Sequence, residues 1–279
     1  MRRMKNESIH IYKEDIMNFL LVGQPGAGKT VSACTGRHPT LIVDVDGKAG
    51  EMYIIKEKID RGDVTVLPIR DKLVGDTFSA RALHPDKPPK IQPTGYVTTV
   101  DILSSILEKA PEYDKYKTIV LDSLTRLSEH LTRLLIYHRG QGLFGKKVAD
   151  DMSWPSWGSY KANLEELFYG MCSYLEDRDF ICTVHEKTMT ETTMSMVGSQ
   201  VVESEVVKGF KPLIDGQMRD KLAGYFNEVY YMDSLMSKNK DPIYRFRTRG
   251  NKYDARTSLP LDEFEKSNIT EILKKAGIF

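Results

Sequence analysis

A glycine-rich segment that ends in lysine and threonine carries the strongest chemical signal in the chain. Residues 23–30 read GQPGAGKT, which fits the pattern G-x-x-x-x-G-K-T of a phosphate-binding loop, or P-loop. Glycines let backbone N–H groups converge on phosphate oxygens, while the Lys29 ammonium suits the β- and γ-phosphates and the Thr30 hydroxyl suits Mg²⁺. The pattern predicts a triphosphate site formed by Gly23, Gln24, Pro25, Gly26, Ala27, Gly28, Lys29, Thr30 and Val31.

Carboxylates follow two other apolar runs. Asp122 comes directly after one of them, and we interpret it as the acid that positions Mg²⁺ opposite Thr30. The alternative is an aspartate that caps the next helix. Asp44 and Asp46 are two residues apart, so on a strand they would share a face. We assign Asp46 as the general base that activates water, with Asp44 supporting the sheet end; a structural turn aspartate is the alternative.

A histidine and a glutamate close a further apolar run at 180–184. A polar side chain at such a strand end can contact the γ-phosphate and report hydrolysis to the segment that follows. We therefore predict that His185, or its neighbour Glu186, senses the γ-phosphate. The alternative is a histidine at the surface or core edge without a chemical role.

Two segments mix cations with aromatic residues. The run YRFRTRGNKYDAR at 244–256 alternates as an exposed strand would, and charge would protect such a strand from aggregation. The functional alternative is a cationic element that contacts a neighbouring subunit's nucleotide or a nucleic-acid backbone. The second set suits single-strand stacking, although core tryptophans explain it equally: Lys146, Lys147, Trp154, Trp157 and Lys161.

Short apolar runs alternate with longer amphipathic stretches along the chain. Buried strands are predicted at 19–22, 41–47, 64–68, 117–123 and 180–184. Helices are predicted at 30–34, 51–60, 98–110, from 124 onward, and at 162–175. An exposed hairpin at 188–207, late strands at 229–232 and 243–248, and a C-terminal helix within 260–279 complete the pattern. The alternation predicts an α/β fold with a mostly parallel sheet and helices on both faces.

In such sheets ligands bind beyond the carboxyl ends of the strands. Gly23, Asp46, Asp122 and His185 all fall at those ends, so we expect them to converge on one site. We expect the chain to consist of a lead-in at 1–15, a catalytic domain at 16–258 and a helical tail at 259–279. A surface insertion loop is expected within the catalytic domain at 71–96.

Composition narrows the class of protein. With 279 residues, 41% hydrophobic and 28% charged, the chain can bury one large domain. A net charge of +1 excludes a global basic field, so nucleic-acid binding would need local patches. Three scattered cysteines form no disulfide or metal pattern and favour a reducing compartment. No signal peptide or membrane span is apparent, and we expect a cytoplasmic protein without membrane contact.

A guanine-nucleotide pattern can also be read from the sequence, as D-x-x-G at 44–47 and N-K-x-D at 251–254. Only 14 residues separate Lys29 from Asp44, which is too few for a switch loop and a strand. The second match follows a charged segment rather than an apolar strand. Both observations argue against a GTPase. GTPase activity and a small P-loop kinase are kept only as alternatives to an ATPase.

The order of the motifs resembles that of RecA-like P-loop ATPases, and among them the phage-encoded group of single-strand annealing and recombination proteins. The likeness spans about residues 16–258. It rests on GQPGAGKT, LIVDVDG, KTIVLDSLTRL, TVHEK and FNEVYYM…YRFRTRGNKYDART.

The resemblance implies a RecA-like, mostly parallel twisted sheet with late antiparallel strands that binds ATP with Mg²⁺. It implies ATP hydrolysis at subunit boundaries in a homo-oligomeric ring or filament, in the host cytoplasm if the protein is phage-encoded. Single-stranded DNA and a single-strand-binding protein are the implied partners, with annealing or loading rather than strand exchange. A nucleotide-gated scaffold with negligible hydrolysis is the alternative.

The resemblance also implies roles for individual residues. Asp46 takes the place of a catalytic carboxylate that is usually a glutamate, which shortens the arm by one methylene. His185 or Glu186 takes the sensor position. Arg249, Lys252 and Arg256 fall where cations that act in trans on a neighbouring nucleotide lie.

Overall fold

The computed structural model describes residues 16–73, 91–138, 154–197, 200–237 and 242–279. Its strands are β1 (Asn18–Gly23), β2 (Thr40–Asp44), β3 (Val64–Pro68), β4 (Lys72–Leu73), β5 (Ile91–Gln92), β6 (Thr118–Asp122), β7 (Asp179–Val197), β8 (Gln200–Pro212), β9 (Glu228–Met236), β10 (Pro242–Arg247) and β11 (Phe264–Lys266). Its helices are α1 (Lys29–Ala33), α2 (Tyr53–Asp60), α3 (Gly95–Leu107), α4 (Leu124–His138), α5 (Trp154–Tyr174), α6 (Met218–Lys221) and α7 (Ile269–Lys275).

One large sheet organises the molecule, with the order β11-β10-β9-β1-β7-β6-β2-β3. Neighbouring strands from β9 to β3 are parallel, whereas β10 and β11 are antiparallel additions at one edge. The predicted α/β class, the mostly parallel sheet and the late antiparallel strands are therefore confirmed. The strands β4 and β5 form a separate small pair.

The central strands are apolar because both faces of the sheet are covered. All six residues of β1 are buried, and its four apolar side chains alternate between two hydrophobic clusters. Leu20 and Val22 belong to the cluster on one face, and Phe19 and Leu21 to the cluster on the other. Such two-sided burial is what turns a parallel strand into a continuous apolar run.

The parallel register brings the strand ends to one edge. Gly23 lies beside His185 in the β1–β7 pairing, and Asp44 lies beside Asp122 in the β2–β6 pairing. The predicted convergence of functional residues at the carboxyl ends thus follows from the sheet itself. Asp46 comes two residues after the end of β2, in the bend that follows.

The strand β7 continues well beyond the sheet. From Glu186 to Val197 it pairs only with β8, and the register shifts between Met189 and Thr190. The two strands form a long hairpin, called the arm below. The predicted exposed hairpin at 188–207 is confirmed, and the arm is longer than the prediction because β8 runs on to Pro212.

Several segments differ from the sequence-based prediction. Helix α5 begins at Trp154, eight residues before the helix predicted at 162–175, and Trp157 packs edge-on against Tyr160 with ring centroids 5.6 Å apart. The helix predicted within 260–279 was too long, because β11 joins the main sheet before α7 begins. Buried Leu261 and Leu273 anchor this segment in the core.

Some predictions fall outside the described residues. These include the lead-in up to residue 15, Lys146, Lys147, and residues 74–90 of the insertion loop. The described flanks of that loop form β4, β5 and the start of α3. Among the described helices, none combines the length and the hydropathy needed to cross a bilayer.

Candidate nucleotide-binding site

The glycine-rich segment forms a tight loop between β1 and α1. Gly26 and Gly28 have φ angles of +78° and +85°, a region that residues with a Cβ rarely adopt. A Cβ on Gly28 would also lie 3.4 Å from Cγ of Tyr244. Two of the glycines are therefore required by the path of the backbone, which turns the loop toward the edge where the other strands end.

The Lys29 ammonium lies inside this loop. Its Nζ atom donates hydrogen bonds to the carbonyl oxygens of Gly23 and Gln24, both at 2.8 Å, and it is 3.5 Å from Nδ1 of His185. Burial lowers the pKa of Lys29 to about 8, and nearby carboxylates, Asp122 foremost, oppose the shift. The cation that would contact phosphate is thus held at the base of the loop.

Asp122 is held by hydroxyl groups from two different elements. Its Oδ2 atom accepts a hydrogen bond from the Thr30 hydroxyl at 2.8 Å, and its Oδ1 atom accepts one from the Thr183 hydroxyl. Only 4% of Asp122 is exposed, and this burial raises its pKa to about 6 against the opposing effect of the two hydroxyls. The structure therefore joins α1, β6 and β7 at one carboxylate.

Asp46 lies on the same edge as Asp122. Its Oδ1 atom accepts a hydrogen bond from the Ser123 hydroxyl at 3.1 Å, and its Oδ2 atom is 3.9 Å from Nε2 of His185. Burial, followed by the charge of Lys29, lowers the pKa of His185. A neutral imidazole thus lies between the Lys29 ammonium and the Asp46 carboxylate.

Asp44 has a different surrounding. It is 1% exposed, and its carboxylate accepts the backbone N–H groups of Gly47 and Ala49, each at 2.8 Å. Both carboxylate oxygens are used to hold the turn after β2. Of the two aspartates, Asp44 supports the sheet end, as the sequence analysis allowed, and Asp46 has its carboxylate at the site.

Glu186 contacts the phosphate-binding loop from the root of the arm. Its Oε1 atom accepts a hydrogen bond from the side-chain amide of Gln24 at 2.8 Å. Burial raises the pKa of Glu186, and the Gln24 hydrogen bond opposes the shift. The first residue of the arm is thereby tied to the loop that would carry the nucleotide.

One cavity of about 610 Å³ lies at this edge of the sheet, and Gly23, Gln24, Ala27, Asp44 and Glu186 do not line it. Most of the residues expected from the sequence are present, including Lys29, Thr30, Asp46, Asp122 and His185. Sequence reasoning missed several contributors from α4, β10 and the segments that follow β2 and β11: Lys48, Met52, Ile54, Thr125, Arg126, Glu129, Tyr244 and Ser267.

Two threonines that the sequence analysis did not single out form hydrogen bonds with predicted site residues, His185 and Asp122. The Thr125 hydroxyl accepts the backbone N–H of His185 at 2.9 Å and donates to the carbonyl of Leu213 at 3.1 Å. Thr183 is fully buried in β7 and holds Asp122. The available signal for Thr183 was a single hydroxyl within the otherwise apolar run FICTV, two residues before His185.

The late cations do not line this cavity. The guanidinium of Arg249 donates to the carbonyl of Leu261 at 3.0 Å, and that of Arg256 donates to the carbonyl of Phe226. Lys252 is exposed. Their action in trans stays a prediction. The N-K-x-D match at 251–254 is likewise absent from the cavity lining, so it gives no support to a GTPase.

The oxygen donors fit Mg²⁺ bound together with a nucleotide. Mg²⁺ prefers oxygen ligands and is usually held by one or two protein groups, substrate phosphates and water. Thr30 and Asp122 supply a hydroxyl and a carboxylate side by side. Within the described ranges, no group of three or more His, Cys, Asp or Glu side chains could hold a metal by itself.

Comparison with known proteins gives one family. A family model described as an AAA domain matches residues 16–259, which cover the site from Gly23 to Glu186. No curated protein matches the sequence. The matched range also contains all the parallel strands of the main sheet.

Proposed function

Because the chain belongs to the AAA domain family of P-loop ATPases, we propose that it hydrolyses ATP with Mg²⁺ and couples the nucleotide to single-stranded DNA in annealing or recombination. One observation carries the nucleotide part of the proposal. Thr30 and Thr183 hold the two oxygens of Asp122 beside Lys29, at the edge where Asp46 and His185 also meet.

The residues have distinct roles in this proposal. Lys29 exchanges the carbonyl oxygens of Gly23 and Gln24 for oxygens of the β- and γ-phosphates. Thr30 and Asp122 would hold Mg²⁺, which neutralises charge on the phosphate oxygens when it is bound.

Asp46 and His185 act on the attacking water and on the γ-phosphate. Asp46 accepts a proton from that water as the general base, and the Ser123 hydroxyl fixes the direction of its carboxylate. His185, 3.5 Å from Nζ of Lys29 and 3.9 Å from Oδ2 of Asp46, is placed to respond when the γ-phosphate leaves.

An assembly around the nucleotide is part of the proposal. Met52, Tyr53 and Ile54 are 37%, 75% and 50% exposed, and Met52 and Ile54 also line the nucleotide cavity. Large apolar side chains at the rim of a site favour burial against a second surface. We assign that surface to another copy of this chain in a ring or filament. A single-strand-binding protein that loads it onto DNA completes the proposal.

Steady-state ATP hydrolysis with and without single-stranded DNA tests the proposal. Stimulation by single strands, and not by an equal mass of duplex, is expected. Lys29→Ala should abolish nucleotide binding, whereas Lys117→Ala, at an exposed position just before β6, removes an equal charge as the matched control. The recombination role would be ruled out if DNA did not change the rate of hydrolysis and if the protein bound no DNA in any nucleotide state. The ATPase activity would still stand.

A second candidate is a nucleotide-gated binding protein that hydrolyses little. The hydrogen bond from Gln24 to Glu186 favours it, because this bond ties the loop to the arm without any need for turnover. The short side chain of Asp46 is consistent with slow hydrolysis. Asp46→Glu separates the candidates: a large increase in rate would indicate a natural low-turnover switch.

A further inference from the structure

A second cavity, of about 560 Å³, opens beside the turn that follows β10. It is lined by Arg247, residues 249–253 and Glu263, and it is called the basic cleft below. Three cations and one carboxylate face it. None of its residues lines the nucleotide cavity, so the cleft is a separate feature of the surface.

Among the residues that the structure describes, two of the three cations make no ion pair with a carboxylate. Arg247 is neutralised, since its guanidinium pairs with Glu263 at 2.8 Å. The Arg249 guanidinium donates to the carbonyl of Leu261, and the adjacent Asp262 interacts weakly with the charge of Arg249 and pairs with Lys275 at 2.7 Å. Lys252 is exposed, and its ammonium makes no hydrogen bond or ion pair within the described part of the chain. The cleft therefore presents a net positive charge, carried by Arg249 and Lys252, which favours an anion with repeated charges.

The aromatic ring in the cleft is already covered. Tyr253 stacks on Phe210 with centroids 4.7 Å apart and planes 13° apart, and the guanidinium of Arg247 lies 4.8 Å from its centre. The edge of Tyr231 packs against the same ring at 4.9 Å. Stacking of a base on Tyr253 would require displacing one of these groups. The cleft is thus suited to phosphates and sugars and not to reading bases.

The backbone of the cleft is fixed by the root of the arm. Phe210 of β8 donates its N–H to the carbonyl of Lys252 at 2.8 Å, and its own carbonyl accepts the Tyr231 hydroxyl at 3.0 Å. Gly209 passes so close that a Cβ there would lie 2.9 Å from the Lys252 carbonyl oxygen. The turn that carries Arg249 and Lys252 is therefore held in place before any ligand arrives.

We propose that the basic cleft binds the phosphodiester backbone of single-stranded DNA through Arg249 and Lys252, without selecting base sequence. This rests on the proposed function and names the surface that its DNA partner would contact. The favourable free energy comes from release of counterions from the phosphates. Binding at this site should consequently weaken with salt and be equal for homopolymers of different bases.

Fluorescence anisotropy with a labelled thymidine homopolymer and a non-hydrolysable ATP analogue, over a range of KCl concentrations, tests the assignment. Each lost phosphate contact should reduce the slope of log K against log salt by about 0.7 for a single strand. Lys252→Gln should therefore lower the slope by about 0.7, and the Arg249→Gln/Lys252→Gln double variant by about 1.4, with about tenfold weaker binding at low salt. Lys117→Gln, at an exposed position outside both cavities, is the matched control and should leave the slope unchanged.

The outcomes separate this inference from the proposed function. If the double variant binds DNA as tightly as the wild-type chain and with the same slope, the assignment of DNA binding to the basic cleft is overturned. The proposed function is then unaffected. Absence of DNA binding by the wild-type chain overturns both. A double variant that keeps DNA affinity but loses DNA-free ATP hydrolysis would place Arg249 and Lys252 at a neighbour's nucleotide instead. ATP affinity of the double variant equal to wild type is expected in every supporting case.

Discussion

Thr183, in the inner part of β7, donates its hydroxyl to the carboxylate of Asp122 at the end of β6. The bond crosses between two adjacent parallel strands and fills one side of a carboxylate whose other oxygen is bound by Thr30. The Thr183 hydroxyl, two residues before His185, therefore opposes the rise in pKa that burial imposes on the acid assigned to Mg²⁺. This dependence on a neighbouring strand leads to the first prediction.

Thr183→Val keeps the shape of the side chain and removes the hydroxyl. We expect the free energy of unfolding to fall by about 1–3 kcal/mol, because a buried carboxylate oxygen loses its partner. The pKa of Asp122 should rise further, so Mg²⁺-dependent nucleotide affinity should decline most at mildly acidic pH. Urea denaturation and nucleotide titrations at two pH values measure these effects. Thr183→Ser, which restores the hydroxyl, should recover most of both.

Asp122→Asn should make the nucleotide-free protein more stable at neutral pH. The pKa of Asp122 is raised from 3.8 to about 6 in the folded state, so ionisation opposes folding as pH rises through that interval. Removing the charge should contribute up to about 3 kcal/mol at pH 7.5. The gain in stability should shrink as pH falls toward 4, because the wild-type carboxyl is then protonated and as neutral as the asparagine amide.

Thermal unfolding at pH 7.5 and pH 4.5, with and without Mg²⁺ and ATP, tests this expectation. The variant should lose the extra stabilisation that Mg²⁺ adds to ATP. A variant that is less stable than wild type at pH 7.5 without ligands would contradict the assignment of Asp122 as a carboxylate strained by burial.

Nucleotide affinity should fall at alkaline pH because of Lys29. Its pKa is lowered to about 8 in the free protein, and a bound triphosphate favours the protonated form. Affinity should be highest below pH 8 and should decrease above it by at most tenfold for each pH step of one. Calorimetric titration with a non-hydrolysable analogue from pH 7 to pH 9.5 gives the profile.

Lys29→Arg supplies the control for this profile, since its guanidinium stays charged throughout the range. The variant should bind more weakly and show a flat dependence on pH. A wild-type profile that is equally flat would show that the Lys29 charge does not contribute to phosphate binding.

Asp46→Asn should reduce the turnover number by about 10²-fold or more, since it removes a general base and keeps the side-chain size. ATP affinity should change little, because Lys29 and Asp122 remain. The structural aspartate offers a contrast: Asp44→Asn should act chiefly on stability, since both oxygens of Asp44 accept backbone N–H groups. Single-turnover hydrolysis and chemical denaturation of both variants distinguish the two roles.

The sequence predicted the fold and much of the site because the two depend on the same pattern. A parallel strand with both faces buried is a continuous apolar run, and functional residues gather where such runs end. Phe19, Val120 and Ile181 mark three of those runs, and the residues after them lie together in the cavity.

The parts that the sequence did not predict depend on pairing between distant segments. Thr183 meets Asp122 only because β6 and β7 are adjacent in one register, which a single sequence does not specify. The strand β11 has three residues and is defined by its pairing with β10, so no local periodicity marks it. Asp44 and Asp46 look alike in sequence, and only the turn at Gly47 separates their roles.

The strand β7 is one unbroken piece of backbone from the core to the far end of the arm. Its inner part carries Thr183 and His185, and about 40 Å of ladder extends past Glu186 at about 3.3 Å for each residue. A rotation of about 5° at the root would therefore carry the tip through about 3–4 Å at this rise per residue. A small rearrangement at the root of a rigid arm would thus appear at its tip as a displacement of several ångströms.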